Sequence, residues 1–187
     1  MNKETFWSII DQARSLANGW ERMYEPLVQA LSSLKPAEIL QWQQIFSLYQ
    51  QLSYKNKLWA AAYTINGGCS DDGFDYFRGW LTAQGKDVFL NALNNPDSLA
   101  EVEACEGDVS FERILGAACN AYLHQLGLPP DYELFYAALD NHPLADGTVE
   151  AITSEITYAD DIDQDWDEDD EEAMHKWLPK LCEAFDW

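Results

Sequence analysis

Three aspartates and one arginine follow an apolar, aromatic-rich run and a glycine pair in this chain of 187 residues. These four side chains are Asp71, Asp72, Asp75 and Arg78. Asp71, Asp75 and Arg78 are spaced three or four residues apart, which places them on one face of a helix. Such a group can bind a cation, a basic side chain or a hydroxyl-rich ligand, and paired carboxylates can perform acid–base chemistry when one is held protonated. The pattern therefore predicts a polar site at the edge of a packed core.

The candidate site also includes residues on either side of the glycine pair. Its predicted members are Trp59, Tyr63, Cys69, Ser70, Asp71, Asp72, Asp75 and Arg78, above an aromatic floor of Trp59, Tyr63, Tyr76 and Trp80. A structural interpretation competes, because Ser and Asp cap helix N-termini and Asp complements the helix dipole there. Arg78 then pairs with Asp75 or Asp71 across one turn. No histidine or nucleophile–base pattern lies nearby, so we expect no catalytic residue.

A second group of carboxylates occupies residues 160–172, the acidic segment, in which ten of thirteen residues are acids. Its spacing places oxygen ligands as in a calcium-binding loop, at Asp161, Asp163, Asp165, Asp167, Asp169 and Glu172. Trp166 stands where that loop needs glycine, so calcium is only suggested, and no other cofactor is expected. Two further interpretations stay open. One is a docking surface for a basic partner with Trp166, Trp177 and Trp187 as apolar anchors, and the other is a disordered solubilising linker.

The net charge of −22 belongs almost entirely to the second half of the chain. Residues 1–95 contain nine acids and eight bases, a net charge of −1, whereas residues 96–187 contain 24 acids and three bases, a net charge of −21. Such a field repels nucleic acid and anionic membranes and attracts basic proteins or cations. We therefore expect a basic protein as partner, with no nucleic acid and no membrane.

The composition is that of a folded protein of the cytoplasm. Hydrophobic residues make up 47% of the chain, which argues against disorder, and no apolar run reaches the roughly 20 residues that span a bilayer. The first residues lack the basic and apolar regions of a signal peptide. No CxxC pair occurs, so we expect buried reduced thiols at Cys69, Cys105, Cys119 and Cys182.

Helical spacing of apolar residues predicts a mainly α fold, a single compact multi-helix domain with an acidic C-terminal extension. The predicted helices include 6–16, segments opening at Pro26 and Pro36, 58–65, 72–84, 86–93, 98–104, 110–125, 131–139 and 171–185. Residues 149–158 fit either a helix or a strand. We expect a helical domain over 1–145, followed by 146–187 as an acidic segment and a short amphipathic helix that packs on the domain.

The most unusual part of the sequence is LWAAAYTINGGCSDDGFDYFRGWLTAQGKDVF, which is followed by NPDSLA. This pattern resembles the bacterial family called domain of unknown function 4240, and Phe6-Trp7-Ser8-Ile9-Ile10 with Ala13-Arg14 is similar to the start of that family. The resemblance covers about residues 1–130 and is most specific between Trp59 and Leu99. It implies an α-rich domain of cytoplasmic type, and it implies no activity, cofactor or catalytic residue.

Two hypotheses of function follow from these patterns. The first is a non-enzymatic protein-binding module, similar to an inhibitor or an immunity protein, that binds a basic partner through its acidic second half. The second is an enzyme or a domain that binds a small ligand or metal through Asp71, Asp72, Asp75 and Arg78. We favour the first, because the charge is confined to one half of a folded chain. A calcium-responsive module over residues 161–172 ranks third.

Overall fold

A computed structural model describes residues 1–103 and 109–187, and every regular element within these ranges is helical. The α-helices are α1 (Lys3–Leu16), α2 (Tyr24–Ser32), α3 (Pro36–Leu52), α4 (Asn56–Asn66), α5 (Asp71–Ala83), α6 (Lys86–Asn94), α7 (Ala117–Gln125), α8 (Tyr132–Asp140), α9 (Asp146–Thr153), α10 (Glu171–Trp177) and α11 (Pro179–Ala184). Short 3-10 helices occupy Trp20–Arg22, Pro96–Glu101 and Glu112–Gly116. The mainly α prediction is confirmed. None of the helices in the described residues has the length and apolar character needed to cross a bilayer.

The chain divides into two compact units. The first contains Met1–Gln51 and Glu112–Glu155, and the second contains Leu52–Phe111 and Ile156–Trp187. Every residue of the predicted polar site and of the acidic segment belongs to the second unit. The boundary predicted after residue 145 stays a prediction.

The core of the first unit is built from aromatic residues of α1 and α3. The rings of Phe6 and Trp42 stack at 5.2 Å, and Trp7 Nε1 donates a hydrogen bond to the Tyr49 hydroxyl at 3.0 Å. That hydroxyl donates in turn to Glu155 Oε1 at 2.6 Å. Burial and this bond raise the pKa of Tyr49, so the phenol stays a neutral donor. Helix α2 packs against α1 and α7 and completes this core.

The core of the second unit joins α4, α5 and α11. Three alanines of α4, Ala60, Ala61 and Ala62, are fully buried, and their small side chains let neighbouring elements approach closely. Helix α5 contributes Phe74, Phe77 and Trp80, each also fully buried. Leu181 of α11 is buried in the same unit, and α11 packs against both α4 and the Pro96–Glu101 helix. The C-terminal helices are therefore part of this core.

Asp97 holds α11 on this core. Its side chain is only 8% exposed, and its carboxylate accepts hydrogen bonds from the backbone N–H of Lys180 at 3.0 and 3.2 Å and of Leu181 at 3.0 Å. These amides belong to the first turn of α11, where a helix lacks its own acceptors. Asp97 lies in the NPDSLA stretch, so a residue distant in sequence caps this helix.

The structure corrects or refines the secondary structure predicted for four segments. The helix predicted over 98–104 is the 3-10 helix Pro96–Glu101, and Ala104 and Cys105 lie outside the described residues. The helix predicted over 110–125 begins as the 3-10 helix Glu112–Gly116 and becomes α-helical only at Ala117. Glycine is a poor residue for a helix interior, which favours a break at Gly116.

The other two corrections concern the C-terminal part of the chain. The ambiguous residues 149–158 lie partly in helix α9, which begins at Asp146 and ends at Thr153. The single helix predicted over 171–185 is two helices that meet at Leu178. Pro179 causes the break because it has no N–H and restricts the residue before it. Cys119 and Cys182 are buried thiols as predicted, whereas Cys69 is only half-buried because it lies in the turn before α5.

We expect Asp97→Ala to lower the free energy of unfolding by about 1–3 kcal/mol, because it leaves amides of the α11 first turn without an acceptor. Asp170→Ala is the matched control. Asp170 caps α10 from an exposed position by accepting from Ala173 N at 3.0 Å, and its loss should cost about 1 kcal/mol or less. Urea unfolding followed by circular dichroism measures both variants. Equal losses would contradict a special role for the Asp97 cap.

Candidate functional site

The predicted aspartate cluster lies at the N-terminus of α5. Ser70 is the N-cap, and its Oγ accepts a hydrogen bond from Gly73 N at 3.1 Å. Asp71 and Asp72 occupy the first helical turn, where carboxylates interact favourably with the helix dipole. The structural interpretation therefore accounts for Ser70, Asp71 and Asp72.

A tight turn connects α4 to this cap. Gly67 and Gly68 have φ angles of 65° and 140°, which are conformations that favour glycine, and Gly68 N donates to Tyr63 O at 2.9 Å. Trp59 Nε1 donates to Cys69 O at 2.9 Å across the turn. The glycine pair thus allows the backbone to turn between α4 and α5, and the hydrogen bond between Trp59 and Cys69 stabilises this turn.

Arg78 is a buried cation that contacts residues of its own helix and of the loop before α4. The side chain is 4% exposed and forms an ion pair with Asp75, while Nε donates to Phe74 O at 3.3 Å. Its guanidinium lies 4.7 Å from the centre of the Tyr54 ring and 4.8 Å from that of Phe74. Burial lowers the pKa of Arg78, and the charge of Asp75 opposes that shift. The predicted pairing of Arg78 with Asp75 is present.

Tyr54 is a member of this cluster that the sequence pattern misses. Its hydroxyl donates to Asp71 Oδ1 at 2.7 Å, and this bond raises the pKa of Tyr54. The ring is 45% exposed and covers Arg78. Tyr54 lies in the short loop between α3 and α4, so no helical periodicity relates it to α5. In the sequence, Tyr54 is marked only by its position just before α4, which carries Trp59 and Tyr63.

The rings of the predicted aromatic floor do not form one surface. Trp80 is fully buried and therefore lines no open site. Trp59 stacks on Phe74 at 5.0 Å with an interplanar angle of 11°. Tyr63 instead contacts two rings from the C-terminal part of the chain, Trp166 and Trp187. Trp59 and Tyr63 thus belong to two different aromatic groups.

The acidic segment packs against the beginning of α4, and Asp161 is its main anchor. The Asp161 carboxylate accepts from Lys57 Nζ at 2.8 Å and from Trp177 Nε1 at 2.6 Å. Lys57 Nζ also lies 5.3 Å from the centre of the Trp177 ring. One carboxylate therefore connects α4 with α10.

Ile162 and Asp163 continue this contact along the chain. Ile162 is 5% exposed, and its carbonyl accepts from Lys57 N at 2.9 Å. Asp163 pairs with Lys55 Nζ at 2.7 Å, and its carbonyl accepts from Asn56 Nδ2 at 3.1 Å. The first part of the acidic segment is thus bound to α4 through its backbone as well as its charges.

The carboxylates after Asp163 have a different environment, and we call them the acidic face. They are exposed, and within the described residues none of them forms an ion pair: Asp165, Asp167, Glu168, Asp169, Asp170, Glu171 and Glu172. Two of them make local backbone contacts, since Asp167 accepts from Asp169 N at 3.0 Å and Asp170 caps α10. The acidic face therefore presents a high negative charge to solvent.

The six predicted calcium ligands are not brought together by the structure. Asp161 and Asp163, the first two positions of the loop pattern, are paired with lysines of α4. Within residues 1–103 and 109–187, no group of three or more His, Cys, Asp or Glu side chains is arranged to hold a metal ion.

Tyr63, Trp166 and Trp187 form a group that we call the Tyr63 cluster. The Tyr63 ring lies 5.5 Å from Trp166 and 5.9 Å from Trp187, at interplanar angles of 68° and 65°. Burial raises the pKa of Tyr63, and the charges of Glu168 and Asp169 raise it further. Two of the three tryptophans predicted as anchors thus meet at one tyrosine, whereas Trp177 is engaged by Asp161.

Comparison with known proteins gives one match. The family model described as "Protein of unknown function (DUF4240)" matches residues 1–124. The matched region contains α1–α6 and nearly all of α7, so the acidic segment lies beyond it. No curated protein and no solved structure matches the chain.

We expect Asp161→Asn to destabilise the fold in a pH-dependent way. Burial acts to raise the pKa of Asp161, but the bonds from Lys57 and Trp177 outweigh it and hold the pKa below its ordinary value of 3.8. The carboxylate therefore stabilises the folded state above that value, and this stabilisation is lost as the pH falls through the lowered folded-state pKa. Because the side chain is 38% exposed, we expect a loss of about 0.5–1 kcal/mol at neutral pH.

Urea unfolding at several pH values measures this effect. The difference between Asp161→Asn and the unsubstituted protein should shrink below about pH 4. Asp165→Asn is the control, since Asp165 is exposed and forms no ion pair in the described residues. A loss that is independent of pH, or equal in the control, would contradict the anchoring role.

A second comparison tests the cluster on α5. Asp75→Asn removes the charge that faces the buried Arg78, so we expect a loss of about 1–2 kcal/mol in the free energy of unfolding. Asp72→Asn is matched to it, because Asp72 is exposed in the first turn of the same helix and should cost about 0.5 kcal/mol. Thermal unfolding of both variants gives the result. Equal stability would show that the ion pair does not hold Arg78.

Proposed function

The chain belongs to the family described as protein of unknown function (DUF4240), and we propose that it is a non-enzymatic binding module for a basic protein. It would act as an inhibitor or immunity protein does, by covering a positively charged surface of its partner. The acidic face is the proposed contact surface. A cytoplasmic location, expected from the sequence, belongs to the same proposal.

One observation carries this proposal: the acidic segment is fixed at one end while the charges at its other end stay exposed. Lys55 forms an ion pair with Asp163 and Lys57 with Asp161. Ile162, which lies between these two aspartates in the sequence, is buried. A free solubilising linker needs none of these contacts. A binding surface benefits from them, because a segment that is already ordered loses less conformational entropy when a partner binds.

The charge distribution supports the same kind of partner. The half of the sequence that contains the acidic face has a net charge of −21. Such a field accelerates the encounter with a basic protein and repels nucleic acid, and the acceleration declines as salt screens the charges. The proposed complex should therefore form fast at low ionic strength and weaken as salt is added.

The alternative site on α5 receives less support. A binding site for a ligand or a catalytic group needs a charge or donor that is available to the substrate. Arg78 is 4% exposed and already contacts Asp75, Phe74 and Tyr54, and Asp71 accepts the Tyr54 hydroxyl. The cluster is thus engaged in contacts within its own unit, which favours a structural role for it.

The proposal predicts that removing charge from the acidic face reduces capture of a basic protein from a lysate of the source organism. The test variant combines Asp165→Asn, Glu168→Gln and Asp169→Asn, which leaves the anchors Asp161 and Asp163 unchanged. Because an exposed ion pair contributes about 0.2–1 kcal/mol, we expect this variant to weaken binding by roughly three- to one-hundred-fold. The measurement is the amount of partner retained at low and at raised salt.

The matched control removes the same number of charges elsewhere. Glu133→Gln, Asp140→Asn and Glu150→Gln replace three exposed acids of the other unit. A stoichiometric basic protein should be captured equally by the unsubstituted protein and by this control, and retained in a smaller amount by the test variant. Equal capture by both variants, or the capture of no basic protein, would contradict the proposed function.

A further inference from the structure

The Tyr63 cluster is a partly exposed aromatic group that no lysine or arginine of residues 1–103 and 109–187 occupies. Elsewhere in the described residues, basic side chains lie over aromatic rings: Lys55 over Tyr158, Lys57 over Trp177, Arg78 over Tyr54 and Phe74, and Arg113 over Tyr24. Within the same part of the chain, no lysine or arginine lies over Tyr63, Trp166 or Trp187. All three rings of the cluster are half-buried.

Three separate segments build this cluster. Tyr63 comes from α4, Trp166 from the acidic segment and Trp187 from the residues after α11. The chain turns back after α11 because Asp186 has a φ of 51°, and Trp187 N donates to Cys182 O at 3.0 Å. The cluster is thus assembled by the fold of the second unit, and it is more than the apolar stripe of a single helix.

The surroundings of the cluster are negative. Glu168 and Asp169 follow Trp166 closely in the acidic face, and their charges act on the Tyr63 hydroxyl. Neither carboxylate forms an ion pair in the described residues. Aromatic faces attract cations through the ring quadrupole, and Trp is the strongest of these rings. Aromatic faces and unpaired carboxylates together complement a cation that also has an apolar surface.

We propose that the Tyr63 cluster, with Glu168 and Asp169, receives an arginine side chain of the basic partner. Arginine fits both parts of this receptor, because its planar guanidinium stacks on an indole or phenol ring while its N–H groups bind a carboxylate. Lysine satisfies the charge but offers no flat surface to the rings. This inference rests on the proposed function, for which it supplies the central anchor within a field of exposed charges.

Two cationic peptides of equal length and charge test the receptor. One alternates arginine with glycine and the other alternates lysine with glycine, and isothermal titration measures their affinities at low salt. We expect the unsubstituted protein to bind the arginine peptide about three- to ten-fold more tightly, as a desolvated cation–aromatic contact allows. In parallel, the indole N–H resonances of Trp166 and Trp187 should shift with the arginine peptide more than with the lysine peptide.

Substitutions in the Tyr63 cluster distinguish the contribution of the aromatic rings to binding from that of the charges. Trp187→Leu should weaken binding of the arginine peptide more than binding of the lysine peptide and so remove the arginine preference, because it removes a ring and alters no charge. Trp187→Phe keeps an aromatic ring and should retain the preference. Trp166→Leu is a second route to the same loss and serves as an independent check. Thermal unfolding confirms that each variant is folded before its affinities are compared.

The outcomes distinguish this inference from the proposed function. Equal affinity of the unsubstituted protein for the two peptides, or a preference that survives both leucine variants, overturns the arginine receptor. The triple variant of Asp165, Glu168 and Asp169 tests the contribution of the charges. It should bind both peptides more weakly than its matched control does. If it does not, or if neither peptide binds at all, the proposed function fails as well.

Discussion

The contact of two lysines with two aspartates is the interaction on which the arrangement of the C-terminal residues depends. A stretch with ten acids in thirteen residues repels itself and has little apolar surface to bury, so it does not pack without a counter-charge. Lys55 and Lys57 supply that charge at the start of α4 and bind Asp163 and Asp161. The same region then orients Trp177 through Asp161 and brings Trp166 to Tyr63.

Much of the fold was predictable because it depends on residues that are close to each other in the sequence. Helices α3 and α6 begin at Pro36 and Lys86, where the sequence predicts helix starts, and Gly67 ends α4 as its position after an apolar run indicates. Ser70, the N-cap of α5, is a residue type that caps helix N-termini, and the i,i+3 pair of Asp75 and Arg78 is one of two pairings that helical spacing allows. In each case the residues that determine the helix boundary, cap or ion pair lie within one or two helical turns of each other.

The parts that were not predictable depend on contacts between distant residues. Tyr54 joins Arg78 from a loop that has no periodic relation to α5, and Asp97 caps a helix 82 residues further along the chain. The acidic segment illustrates the limit best. Its composition alone leaves open a linker, a docking surface and, less well, a calcium loop, because the pattern does not reveal that Lys55 and Lys57 face Asp163 and Asp161.

The division of the acidic segment into a bound part and an exposed part has an energetic consequence. The ion pairs of Asp161 and Asp163 stabilise the protein without any partner. The seven carboxylates of the acidic face repel one another, and within the described residues none of them pairs with a basic side chain. A partner that brought positive charge would relieve this repulsion, and it would stabilise the fold to the extent that it binds the folded state in preference to the unfolded chain. The acidic face therefore holds a repulsion that the proposed basic partner would relieve, and Lys55 and Lys57 hold the start of the acidic segment in position.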